Sequence, residues 1–69
     1  MLLLKVELVN KYKSLRPIAK REIRSLFRNE NDYKSDSRFE RLMRREEPAL
    51  PREFEFLNQQ VMKHLIDQD

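Results

Sequence analysis

Pro17-Ile18-Ala19-Lys20-Arg21-Glu22-Ile23-Arg24-Ser25-Leu26-Phe27-Arg28 reads as one amphipathic helix. Proline fits the first helical turn, where its missing N–H costs nothing. At about 3.6 residues per turn, Ile18, Ala19, Ile23, Leu26 and Phe27 share one half of the cylinder and Lys20, Arg21, Arg24 and Arg28 share the other. Asn29-Glu30-Asn31-Asp32 then brings poor helix formers with turn chemistry. A helix with one apolar half needs other apolar faces to pack against, and the flanking sequence offers more of the same period.

Downstream, Ser35 or Asp36 suits the N-cap of a further helix, with Glu40 near its first turn, where the dipole favours an acid. Phe39, Leu42 and Met43 fall on one arc of it, and Arg38, Arg41, Arg44 and Arg45 on the opposite one. Pro48-Ala49-Leu50-Pro51 is a boundary, since the residue before each proline is pushed out of helical geometry. A last helix is expected from Arg52 to Asp67, carrying Phe54, Leu57, Val61, Met62 and Leu65 on one stripe and leaving Phe56 off it. Upstream, Leu2, Leu3, Leu4, Val6, Leu8 and Val9 fit either a strand by alternation or a helix from Leu3 to Lys13. No second strand is evident to pair with it, so the helix is preferred. The expected fold is all-α: a small bundle of three or four short helices. It forms one domain over residues 1–69, with a basic helical region over residues 1–47, a proline-bounded linker over 48–51 and a C-terminal helix over 52–67.

The charge is divided unevenly. Between Lys11 and Arg28 seven basic residues stand against Glu22 alone, a local net of +6. From Glu46 to Asp69 six acids stand against Arg52 and Lys63, a net of −4, so the whole-chain +3 hides a basic first half and an acidic tail. Such asymmetry points to a polyanion or an acidic surface as partner for the first half. The chain has no cysteine and no glycine. Disulfides and thiolate zinc sites are thereby excluded, and β-meanders, dinucleotide fingerprints and P-loops lose support. Lys5 and Glu7 interrupt the apolar start, and no stretch approaches the roughly 20 apolar residues of a membrane span. A soluble chain in an intracellular, reducing compartment is expected.

An enzyme finds little material here. His64 is the sole histidine, with no serine, threonine or cysteine near it in sequence. The pairs Glu46/Glu47 and Glu53/Glu55 suit linker solvation and the start of the last helix better than acid–base chemistry. No cofactor, metal site, small-molecule substrate or membrane partner is expected. The basic helices are the suggestive constellation: Arg38, Arg41, Arg44 and Arg45 form a guanidinium row able to grip phosphates or read guanine edges, with Lys20, Arg21 and Arg24 in support. Against this, four arginines face four acids between Asp36 and Glu47, and such pairs at i,i+3 and i,i+4 neutralise one another.

The stretch from Ile18-Ala19-Lys20-Arg21-Glu22-Ile23 through Arg45, about 28 of 69 residues, resembles the helix-turn-helix cores of small phage and plasmid DNA-binding proteins. The resemblance implies a reading helix opened by Ser35-Asp36-Ser37-Arg38. The connection Asn29–Lys34 departs from that pattern, being longer than the usual turn of about three or four residues and lacking its frequent glycine. Ile23-Arg24-Ser25-Leu26-Phe27-Arg28, followed by a helix with Phe56-Leu57, is also similar to the second half of mitochondrial LYR-motif adaptors, although no Leu-Tyr-Arg triplet is present. The residues thus favour a non-enzymatic DNA- or RNA-binding protein. The alternative is a helical adaptor or subunit that binds another protein; a phage-type inhibitor or anti-defence peptide stands third, a role that the small size suits without arguing for it. The apolar surface of the first and last helices exceeds what a chain this short readily buries. A two-fold homodimer through Leu4, Leu8, Phe54, Leu57, Val61 and Leu65 is therefore expected.

Overall fold

The computed structural model describes residues 2–67. Met1, Gln68 and Asp69, the ends of the expected 1–69 domain, lie outside the described residues. The fold is all-α, with four helices among the described residues: α1 (Val6–Lys13), α2 (Pro17–Glu30), α3 (Ser37–Met43) and α4 (Pro51–Asp67). No helix among them is long and apolar enough to cross a membrane. α4 packs against both α1 and α2, and α3 closes against α2.

Each boundary has a local cause. Arg16 is extended (φ −65°, ψ 151°), as a residue before proline must be, and Pro17 opens α2. Leu15, in the short link from α1, is buried in the core. Asp36 occupies the N-cap position of α3, yet its side chain does not cap the helix. The carboxylate is drawn instead to Arg24 at 3.4 Å and Arg28 at 3.3 Å, which ties α3 to α2.

The beginning of the chain departs from the expected helix over Leu3–Lys13. α1 starts only at Val6, and the segment before it is extended, with Lys5 at φ −65°, ψ 142°. The partner that the sequence does not reveal is the proline-bounded linker. Held out of helical geometry by Pro48 and Pro51, it presents the Ala49 N–H, which donates to the Leu2 carbonyl at 2.8 Å. Arg45 Nε donates to the Leu4 carbonyl, also at 2.8 Å, and Leu4 is fully buried. Two carbonyls are thus satisfied by long-range donors that a continuous helix would have forgone.

The core gathers thirteen apolar residues from all four helices and their links. At its centre Phe27 meets the rings of Phe39 (5.5 Å between centroids), Tyr33 (5.7 Å) and Phe56 (6.2 Å), and Tyr12 meets Phe39 edge-on at 5.4 Å. Phe56 therefore joins the core although it stands off the Leu57–Val61 stripe. It lies about 100° around α4 from Leu57, on the flank that faces α2. The dimer surface expected from sequence is corrected here as well. Leu4, Leu57 and Val61 have 0% exposure and Leu8 has 5%, all covered by the chain's own elements, while Phe54 and Leu65 are half-buried.

Both α2 and α3 end in a Schellman motif, although the chain has no glycine to place at the left-handed position. After α2, the Tyr33 N–H bonds the Arg28 carbonyl (2.9 Å) and the Asp32 N–H bonds that of Asn29 (3.3 Å), with Asp32 at φ 59°. After α3, Glu46 bonds Arg41 and Arg45 bonds Leu42, both at 3.0 Å, with Arg45 at φ 58°. A residue bearing Cβ pays roughly 1–2 kcal/mol for this geometry. Asp32→Gly removes that strain and should stabilise the fold by about 0.5–1 kcal/mol after the entropy gained by the unfolded chain. A rise in melting temperature of roughly 2–8 °C follows. Arg45→Gly removes the same strain but also the bond to Leu4, and thermal melts should show no gain.

Candidate nucleic-acid interface and the arginine row

The arginine row expected on one face of α3 is divided by the structure. Arg38 turns inward to Glu53, whose exposure is 0%. Arg38 Nη2 donates to Glu53 Oε1 at 2.8 Å and Nε to Oε2 at 3.1 Å, a bidentate fork. Its remaining donors reach Glu47 Oε1 at 2.8 Å and the Pro48 carbonyl at 3.0 Å. Glu53 also accepts the Leu50 N–H at 2.7 Å and the Tyr33 hydroxyl at 2.8 Å. The first of these is the return half of a capping box: Leu50 precedes Pro51, and Glu53 stands at the third helical position. Glu53 is consequently a structural carboxylate, bound on both oxygens.

The remaining arginines separate further. Arg41 Nε pairs with Glu47 at 3.1 Å, and Arg45 has left the helix for the Leu4 carbonyl. Arg44, the C-cap of α3, is the one member of the row with no side-chain partner among the described residues, and it meets cations from two other helices. A groove of about 210 Å³ between α1, α2 and α3 has Tyr12, Phe39 and Met43 for its floor. Lys13, Arg24 and Arg44 line its rim, with Glu40 as the one acid. The side chains of Lys20 and Arg21 continue this basic surface along α2, one helical turn from Arg24. Tyr12 is anchored by a hydroxyl bond to the Lys20 carbonyl at 3.2 Å, and burial pushes its pKa up, partly offset by Arg24.

Of the expected contact residues, the fold therefore keeps Lys20, Arg21, Arg24 and Arg44 on one basic side and commits Arg38, Arg41 and Arg45 to contacts within the chain. Lys13 joins the basic side without having been singled out in the sequence. Its position at the end of α1, a short link from Pro17, was the available clue. Tyr12 and Phe39 are 9% and 4% exposed, so the groove offers cations at its rim but no free aromatic face for base stacking. Comparison of the chain with protein-family models, with curated proteins and with solved structures finds no match in any of the three.

The two classes of arginine should respond differently to truncation. Arg38→Ala leaves a buried carboxylate without its counter-charge and should cost about 3 kcal/mol, most of what a domain this small possesses. Arg44→Ala should stay within about 0.5 kcal/mol of the parent, as an exposed charge outside such networks does. Urea denaturation followed by circular dichroism measures both.

Acid titration provides a second test. Burial pushes the Glu53 carboxyl up, but Arg38, the Leu50 N–H and the Tyr33 hydroxyl together outweigh it, and the group titrates below the usual carboxylate range. A depressed native pKa contributes stability that is complete above the unfolded value of about 4.3 and is lost as pH falls through the native value. The melting temperature should accordingly drop below about pH 4. Glu53→Gln should melt lower at neutral pH and vary less across that acid window.

Proposed function

We propose that this chain is a non-enzymatic nucleic-acid-binding module that grips the phosphate backbone through Lys13, Lys20, Arg21, Arg24 and Arg44. The observation that carries this reading is the convergence of cations from three separate helices on one groove. Cations held by different elements present a fixed constellation to a polyanion, unlike a solvated row along one helix. Phosphate contact is favoured over base readout for two reasons. Arg38, the arginine nearest the start of α3, is committed to Glu53, and α3 itself is only seven residues long. Contacts of this class position a protein on a nucleic acid and carry little sequence information.

Titration with duplex DNA, single-stranded DNA and RNA at several salt concentrations tests the reading. Neutralisation of about three to five phosphates gives a slope of log affinity against log salt of roughly −3 to −4.5 for duplex DNA. The double substitution Lys13→Ala/Arg44→Ala should flatten that slope by about 2, whereas Arg41→Ala, whose charge already faces Glu47, should leave it unchanged. Absence of binding at low salt, or tight binding indifferent to salt, would sink the proposal and favour a protein-binding subunit.

A further inference from the structure

Successive residues of an extended chain aim their N–H and C=O groups at opposite edges. In the segment before α1, Leu2 and Leu4 aim their carbonyls at Ala49 and Arg45, so one edge is occupied. The opposite edge belongs to Leu3, whose N–H and C=O make no hydrogen bond among the described residues. Beside it lies a largely apolar hollow of about 400 Å³, walled by Leu2, Leu3, Ala49, Pro51 and Phe54. Leu2 is 78% exposed, and neighbouring Val6 is 51% exposed. An open backbone edge next to uncovered leucines is a template for pairing with another extended segment.

We propose that the occupant is a second copy of this chain, docked about a two-fold axis with the Leu3 backbones paired antiparallel. Charge complementarity selects this occupant. Lys5 and Glu55 both line the hollow, with opposite signs, and neither is ion-paired among the described residues. A two-fold contact is isologous, so Lys5 meets the partner's Glu55 while Glu55 meets the partner's Lys5. Leu3, Lys5 and Glu55 line the same hollow, so pairing at Leu3 sets the hollow of one copy, with both of its charges, against that of the other. The same pairing lets the two Leu3 residues exchange both of their hydrogen bonds. It also covers Leu2 with the apolar wall of the other copy. This contact is separate from the basic groove and does not depend on nucleic-acid binding.

Sedimentation equilibrium from low micromolar to near-millimolar concentration, without nucleic acid, reads the assembly. The parent chain should approach twice the monomer mass. Lys5→Glu and Glu55→Lys each place like charges across the axis at two symmetric points and should weaken the dimer about tenfold. An equimolar mixture of the two variants should recover the parent affinity, because every Glu then faces a Lys. Circular dichroism should show both variants folded, since neither residue belongs to the core. A parent chain that stays monomeric throughout, or a mixture that associates no better than its components, would overturn the proposal.

Discussion

A carboxylate with no exposed surface must find all its hydrogen-bond partners within the chain, and Glu53 draws together four places to do so. Arg38 comes from α3, Tyr33 from the connection before it, and Leu50 from the linker after it, while Glu53 itself begins α4. Arg38 extends the network to Glu47 and the Pro48 carbonyl. The second half of the chain is therefore assembled around one ion pair. A buried pair adds little net stability compared with an apolar replacement, because desolvation offsets much of the attraction. What it supplies here is position. The fork of the guanidinium and the capping geometry of Leu50 allow one orientation of α3 against the start of α4, and the linker is stretched between them.

That constraint also governs the surface charge. Much of the basic first half and acidic tail apparent in the sequence is internally complementary: Arg24 and Arg28 meet Asp36, Arg38 meets Glu47 and Glu53, and Arg41 meets Glu47. Each such contact removes charge from the field available to a partner. The positive surface that persists sits at the end of α1, along the outer side of α2 and at the end of α3, where Glu40 and Asp36 are outnumbered by Lys13, Lys20, Arg21, Arg24 and Arg44. Arg24 belongs to both sets, since its contact with Asp36 is long and its side chain is 41% exposed. It can turn toward a phosphate with little loss.

Periodicity made α2, α4 and the inner arc of α3 legible, because each is decided by residues three or four apart along one helix. Ile23 and Phe27, Leu57 and Val61, and Phe39, Leu42 and Met43 are buried as their spacing requires. The polar arcs were less informative. Arg38 stands on the outer arc of α3 by periodicity, but that side of the helix faces Glu53, fifteen residues further along the chain. Nothing local marks such an encounter. One clue did exist for Glu53: a proline at the first helical position followed two residues later by Glu is a capping pattern, and Leu50 completes it. Phe56 escaped the stripe because α4 is flanked by α1 on one side and α2 on the other, which makes its buried arc wider than a single neighbour would.

The start of the chain shows the same difficulty in the backbone. Residues 2–9 allow a strand by the alternation of Leu2, Leu4, Val6 and Leu8 with Leu3, Lys5, Glu7 and Val9, and only a visible partner is missing from the sequence. The partner is a segment with no strand propensity of its own, kept extended by the prolines at its ends. Its pairing is completed by Arg45, which occupies a left-handed conformation that glycine would adopt at no cost. The strain of about 1–2 kcal/mol is tolerated because the same residue closes α3 and then donates to the Leu4 carbonyl. Asp32 ends α2 with the same backbone geometry, but its side chain makes no hydrogen bond among the described residues. In a chain without glycine, the two left-handed positions are thus unequal: one is only the end of a helix, and the other also anchors the extended segment whose far edge is left open.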